Sequence, residues 1–385
     1  MRPWEKTVDL MKSILEIGPL ANPTFKKENA NVFYADIRDT QAVKDFYKGD
    51  GHVKNEAIVD IDYVIKETYS KSITDGKKFD YIVMSHVIEH IPELIKFFED
   101  VKNILKPNGK LCLAIPDHRF CFDHFRQPTS FAEVYDIYTN GIKNVPFRVL
   151  DFSLSATIND KMYWWCNFDS FEHLPKSKEQ FERAKKNYFR ALNGDYVDVH
   201  FSVFTPETFL LLLYNMLNFN LNPFKCVEFY NTDINSFEFN CVLEYEPNLL
   251  VENSSEQNRE AKNLIELLAN TKRDMLEKEL YAYDKIRIPK IENRTIYLWG
   301  IGEFAGRILS LVKTKGYEVS AFLDKQSMQE YHGYKVEQPE IILSRENKDF
   351  FIFIASTKYA KEMAEICENY GLLRGVDFWM PFLQT

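Results

Sequence analysis

An aliphatic run, Ile14-Leu15-Glu16-Ile17, leads into Gly18-Pro19, and about 20 positions later Asp36 ends a second run. A glycine at the end of a strand lets bare backbone lie beside a ligand. A carboxylate at the end of the next strand can accept hydrogen bonds from both hydroxyls of a ribose. The pair points to a nucleoside ligand, or else to a tight strand-to-helix turn with none. Gly18 is followed by Pro19-Leu20-Ala21-Asn22-Pro23, so the G-x-G-x-x-G cradle for a pyrophosphate is missing. An altered version comes much later, in Trp299-Gly300-Ile301-Gly302-Glu303-Phe304-Ala305-Gly306, where the last glycine is one residue late and Asp324 ends the next run. Gly300, Gly302, Gly306 and Asp324 form a second candidate nucleotide site. His86, His90, His118, His124, His173 and His200 match no compact ligand spacing, and no metal is expected.

The elements that must position these residues follow from hydrophobic periodicity. Short β-branched and aliphatic runs at 14–17, 32–35, 58–65, 81–84 and 110–115 alternate with amphipathic stretches, as in a parallel sheet covered by helices. A helix over 92–105 is stopped by Lys106-Pro107-Asn108-Gly109, a turn by composition. Residues 117–194 form an aromatic and polar insert, with Met162-Tyr163-Trp164-Trp165, Phe168 and Phe171, and with helices near 130–138 and 178–192. Thr205-Pro206-Glu207 caps a further helix. Strands at 226–230 and 237–245 then close the sheet as an antiparallel hairpin. One long amphipathic helix spans 254–280, and a second small α/β unit follows, with strands at 295–299, 319–323 and 350–354 and helices at 304–313 and 359–370. The expected division is 1–248, a helical linker 249–291, and a Rossmann-like domain 292–385.

Composition narrows the function classes. The 385 residues are 45% hydrophobic, enough for a large core, and the formal charge of −9 gives no footprint for a phosphate backbone, so no nucleic-acid partner is expected. Six cysteines are scattered without a C-x-x-C pair, as in reduced thiols used for packing. The start carries no signal-peptide core, and the longest apolar run, 209–217, is too short for a membrane span. A cytoplasmic location and no membrane insertion are expected. The long helix or the C-terminal domain offers a surface for a homo-oligomer.

Four runs in order carry a family resemblance: residues 14–23, then Tyr34-Ala35-Asp36, then Phe79 through Ser85-His86-Val87-Ile88-Glu89-His90-Ile91-Pro92, then Leu105-Lys106-Pro107-Asn108-Gly109-Lys110. They resemble the class I S-adenosylmethionine-dependent methyltransferases of the type 11 kind, over about the first third of the chain. That cofactor has no phosphate to cradle. The resemblance implies a Rossmann-like sheet in which Glu16, Gly18 and Pro19 face the methionine end and Asp36 takes the ribose. Ile37 then flanks the adenine, the backbone at Val64 and Ile65 edges it, and Ser85 with His86 closes the site. Ile65-Lys66 stand where an acidic residue is often found. The last quarter is more loosely similar to small Rossmann-like domains that bind nucleotide sugars.

Methyl transfer needs alignment, and a base where the acceptor is a hydroxyl. The segment 116–129 follows the fifth strand, so Asp123 or His124 is a candidate base and Arg126 a candidate holder of an anionic acceptor group; alternatively, Asp117, Arg119, Asp123 and Arg126 form a salt-bridged scaffold. Pro116-Asp117-His118-Arg119-Phe120, Phe122-Asp123 with Arg126, and Asp198-Val199-His200-Phe201 are similar to runs in a subset of these enzymes tied to surface polysaccharides. The similarity adds His200 as a base and a sugar or glycan-linked acceptor. Two other readings stand beside it, an NAD- or nucleotide-sugar-binding sugar-modifying enzyme and a non-catalytic scaffold of two Rossmann-like domains.

Overall fold

The computed structural model describes residues 2–49, 51, 53–165, 174, 177–285, 291–326, 328–356 and 359–380. Cys166, Phe168, Phe171 and His173 lie outside them, as do the side chains of Met162 and Tyr163. Two compact units are present, the first made of Met1–Trp164 and Asp169–Glu277, the second of Trp165–Phe168 and Lys278–Thr385.

The first unit holds a seven-stranded sheet of β1 (Ile14–Ile17), β2 (Val32–Asp36), β3 (Tyr63–Val64), β4 (Phe79–Ser85), β5 (Leu105–Pro116), β6 (Phe224–Tyr230) and β7 (Glu238–Tyr245). Its order is β3-β2-β1-β4-β5-β7-β6, with β1 to β5 parallel and β7 antiparallel to both neighbours. This is the class I methyltransferase sheet that the resemblance implied.

Strand periodicity explains why both faces are buried. Leu15, Ile17, Ile82, Met84, Leu111, Leu113 and Ile115 point to one side and pack with the helices Leu94–Val101 and Pro206–Asn218. Ile14, Val32, Tyr34, Tyr81, Val83, Cys112 and Ala114 point to the other, against Trp4 and Phe25.

The third strand is shorter than the aliphatic run 58–65 suggests, because its first half bonds elsewhere. The Asp62 carboxylate accepts the Tyr34 amide at 2.8 Å, and the Ile61 amide donates to the Thr40 hydroxyl at 2.9 Å. The 106–109 turn is present as a bulge within β5, where pairing jumps from Phe79↔Leu105 to Tyr81↔Lys110.

The insert has its own small core. Helices Phe131–Asn140, Pro146–Ser155 and Lys178–Leu192 accompany buried Ile137, Val145, Val149, Ala191, Val197, Val199 and Phe201. Ser130, Ser177 and Thr205 cap their helices, Thr205 as expected from Thr205-Pro206-Glu207. The 146–155 helix is an addition to the sequence expectation. Cys112, Cys121, Cys226, Cys241 and Cys367 are buried free thiols.

The second unit contains β8 (Thr295–Trp299), β9 (Val319–Leu323), β10 (Glu330–Tyr331), β11 (Tyr334–Glu337), β12 (Phe350–Ile354) and β13 (Phe378–Trp379), in the order β10-β11-β9-β8-β12-β13. Among the described residues of this unit, only the β10–β11 pairing is antiparallel. The long helix Ser255–Lys285 and every other described helix fall short of the length and apolarity needed to cross a membrane.

Candidate active site

The order of the first sheet reverses between β1 and β4, which is where open α/β sheets receive ligands at the carboxyl ends of their strands. Gly18 leaves β1 with φ +68°, and a Cβ there would lie 2.8 Å from Val87 Cγ2. The missing side chain therefore makes room for the segment after β4. Gly18→Ala is expected to cost about 2–4 kcal/mol, from left-handed backbone strain and crowding together. Urea unfolding measures it, and Val87→Ala in the same chain restores part of the loss.

Glu16 departs from its expected role at the methionine end. Its carboxylate is turned inward, with Oε1 accepting the Thr24 amide at 2.6 Å and Oε2 the Phe25 amide at 3.1 Å. Burial pushes this carboxyl up while the two amides pull it back, so Glu16 shapes the loop after Gly18-Pro19.

Asp36 stands at the end of β2, where Oδ1 accepts the Arg38 amide at 3.0 Å. Burial raises its carboxyl, the Arg38 amide opposes that, and the Asp198 charge adds to the rise. Ile37 beside it is half exposed, an apolar surface next to the carboxylate. Val64 pairs with Asp36 across the sheet, and the Ile65 amide donates to the Asp36 carbonyl at 2.8 Å. The Ile65 side chain is in the core, so only its backbone is available at this edge.

At the end of β4, the Ser85 hydroxyl accepts from Arg2 at 2.6 Å, and just after it His86 Nε2–H donates to Glu238 at 2.7 Å. Arg2 Nε also donates to Glu238, at 3.0 Å. Burial alone would raise the Glu238 carboxyl, but the His86 hydrogen bond and the Arg2 charge bring it down to about 2. A depressed folded pKa gives stability that is present above the unfolded value and lost as pH falls through the folded one. Glu238→Gln should therefore unfold at lower urea than the unaltered chain at pH 7, and the gap should close between about pH 4.5 and pH 2.

A second group of polar side chains is assembled from the turn after β4 and from the insert. Glu89 and His90 lie on the 3-10 turn Ile88–His90, and the Glu89 carbonyl accepts the Phe201 and Ser202 amides at 2.8 and 3.1 Å. Those bonds bring His200 alongside. His200 Nδ1–H donates to Asp123 Oδ2 at 2.5 Å, and His90 Nδ1–H donates to Asp198 Oδ1 at 3.0 Å. Despite burial, the His200 hydrogen bond and the Arg126 charge hold the Asp123 carboxyl below its usual range. Donor atoms of Glu89, His90 and His200 lie within 4.8 Å of one another, which makes them the metal-capable group among the described residues.

Two expected roles change here. Arg126 does not present its guanidinium to an acceptor. It is fully buried, donating to Asp123 and Asp151 and to the His200 carbonyl, each at 2.8 Å. Asp123 is equally buried and holds His200 in place, which suits it to positioning rather than to meeting a substrate. His124 Nδ1–H donates to the Arg119 carbonyl at 2.5 Å, and its ring stacks on buried Trp164 at 3.8 Å. Asp117 and Arg119 form the scaffold pair at 2.7 Å.

Residues 12–188, just under half of the chain, match the model of a family described as a methyltransferase domain. Over those residues the chain is similar to a methyltransferase domain. No curated protein matches the sequence. Among solved structures, the chain is similar to an S-adenosylmethionine-dependent methyltransferase from Methanosarcina mazei, with 14% identity, 64% of this chain and 98% of the other covered, and a TM-score of 0.33. A methyltransferase from Aquifex aeolicus gives 12%, 62%, 86% and 0.30, and one described as putative from Listeria monocytogenes gives 12%, 63%, 97% and 0.31. These likenesses are too distant to carry an argument about the site, which rests on its own geometry.

In the second unit, Gly300 has φ +124°, and a Cβ would meet the Ala355 carbonyl oxygen at 2.8 Å. The Gly302 carbonyl accepts from Tyr331 at 2.9 Å, and Gly306 faces the His332 ring. Asp324 follows β9 and accepts the Gln326 amide at 2.9 Å. The β10–β11 hairpin thus lies against the glycine turn.

Proposed function

We propose that the first unit transfers a methyl group from S-adenosylmethionine to a hydroxyl oxygen of a sugar or glycan-linked acceptor. Asp36 at the end of β2 would take the ribose hydroxyls, half-exposed Ile37 a face of the adenine, the Val64–Ile65 backbone its edge and the Gly18-Pro19 turn the methionine end, with Ser85 and His86 closing the site after β4. S-adenosylmethionine bound there supplies a methyl group activated on a sulfonium, which leaves as a neutral thioether.

The observation that carries the oxygen acceptor is the group of buried Glu89 and His200 with half-buried His90 after β4, whose Asp198 partner also acts on the Asp36 carboxyl. A hydroxyl must lose its proton as the new carbon–oxygen bond forms, and this group is equipped to receive or release it. Asp123 fixes His200 through Nδ1, leaving Nε2 at 3.8 Å from Glu89 Oε1, and Arg126 balances the Asp123 charge. The segment that follows the insert supplies His200 and Asp198, of which His200 is buried. The sugar class of the acceptor is supported by the runs at 116–126 and 198–201. In the second unit, the turn at Gly300, Gly302 and Gly306 with Asp324 supports a nucleotide or nucleotide-sugar module.

Incubation of the full chain with methyl-labelled S-adenosylmethionine and a panel of nucleotide sugars and short glycans tests this reading. Label recovered as a base-stable methyl ether is the expected product. Label recovered on nitrogen, or on none of the panel, overturns it.

A further inference from the structure

Glu89 is 1% exposed, and neither of its carboxylate oxygens has a hydrogen-bond donor among the described residues. Buried carboxylates without donors are costly and call for an explanation. The groups around Glu89 deepen the anomaly. With Nδ1–H of His200 given to Asp123 and Nδ1–H of His90 given to Asp198, a neutral ring presents Nε2 as a lone pair in both cases. His200 Nε2 lies 3.8 Å from Glu89 Oε1, too far for a hydrogen bond. His86, whose Nε2–H is given to Glu238, places Nδ1 at 3.8 Å from the same oxygen. Among the described residues, donor atoms of Glu89, His90 and His200 lie within 4.8 Å of one another, and no donor bonds to either Glu89 oxygen.

We propose that Glu89, His90 and His200 form a binding site for a divalent transition-metal cation. Two imidazoles and a carboxylate are a donor set that suits such ions. Ligands about 2.0–2.2 Å from a tetrahedral centre stand roughly 3.4 Å apart, so the His200–Glu89 pair at 3.8 Å needs to close by a few tenths of an ångström, and the group as a whole, whose donor atoms lie within 4.8 Å, by at most about 1.4 Å. The two ring-to-carboxylate bonds are the outer-shell arrangement that orients metal-binding histidines, and it occurs here twice, in Asp123–His200 and Asp198–His90. Three protein ligands leave a position open for an acceptor oxygen. That role rests on the methyl-transfer reading above, whereas the binding site itself does not. With the cation bound, His200 Nε2 would be a ligand rather than the proton acceptor, and a hydroxyl held at the open position would give its proton more readily to water as the methyl carbon bonds to oxygen and leaves sulfur.

The test uses the full chain, stripped with a chelator and titrated with Zn²⁺ by calorimetry and with Co²⁺ by visible absorption, in the absence of cofactor and acceptor. One equivalent is expected to bind, with the Co²⁺ spectrum of nitrogen and oxygen ligation and a raised thermal midpoint. Glu89→Gln, which keeps the side-chain shape, and His200→Ala should each weaken binding at least about 100-fold, and Asp198→Asn about 10–100-fold. His332→Ala, in the second unit, should bind as the unaltered chain does. Each variant's circular dichroism and melting without metal establish that it folds. Absence of one-equivalent binding, or binding that Glu89→Gln leaves intact, overturns the site. Methyl transfer that persists undiminished in chelator overturns the catalytic role of the cation while leaving the methyltransferase reading standing.

Discussion

His200→Ala lowers methyl transfer by about 10²–10⁴-fold, the range for loss of a group that handles the acceptor's proton, and leaves the affinity for S-adenosylmethionine within about twofold. The separation follows from geometry. The imidazole belongs to the group that meets the acceptor, while the nucleoside end of the cofactor is assigned to Asp36, Ile37 and the Val64–Ile65 backbone. The substitution leaves Asp123 paired with Arg126 at 2.8 Å, so no buried charge is stranded and the insert keeps its scaffold. Removing Arg126 has the opposite character, since it strips the buried Asp123 and the His200 carbonyl of a donor and acts on stability. Single-turnover measurements at saturating cofactor distinguish the two. An equal loss of turnover and cofactor affinity in His200→Ala would place the residue at the cofactor instead.

The second large effect is at Asp36. A carboxylate that accepts both ribose hydroxyls makes two charge-assisted hydrogen bonds, each about 1.5–3 kcal/mol, so Asp36→Ala should weaken cofactor binding by more than about 100-fold. Equilibrium dialysis with labelled S-adenosylmethionine measures it. Asp36→Asn, which can still accept one hydroxyl without the charge, should fall between. The Arg38 amide loses its partner in the alanine variant, but it lies at the partly exposed rim of β2, where water can replace the carboxylate. Unchanged affinity in Asp36→Ala would move the nucleoside elsewhere.

The sheet was legible because each strand of β1, β2, β4 and β5 is an aliphatic run too short for a helix, bounded by polar turns. The shortening of β3 was not, because Asp62 reads as a polar residue in a strand and only the structure shows it taking the Tyr34 amide. Pro146–Ser155 was missed for a related reason: Arg148 and Asp151 read as surface charge, yet Arg148 is buried and Asp151 holds Arg126. Arg126 was misjudged the same way, since sequence reports a charge and not its burial. The positions of Asp36 and Gly18 at the ends of strands were readable because strand ends and spacing are local features. Glu89 was passed over because its partner histidine comes from the far side of the insert. The nearest signal was Glu89-His90 directly after β4, at the edge where ligands enter.

Calorimetric titration of the full chain with S-adenosylmethionine, and separately with NAD and a panel of nucleotide sugars, tests the central claim most directly. One equivalent of S-adenosylmethionine should bind, and that heat should disappear in Asp36→Ala, with any NAD or nucleotide-sugar heat unaffected by the substitution. Binding of NAD or a nucleotide sugar with no heat from S-adenosylmethionine would contradict it.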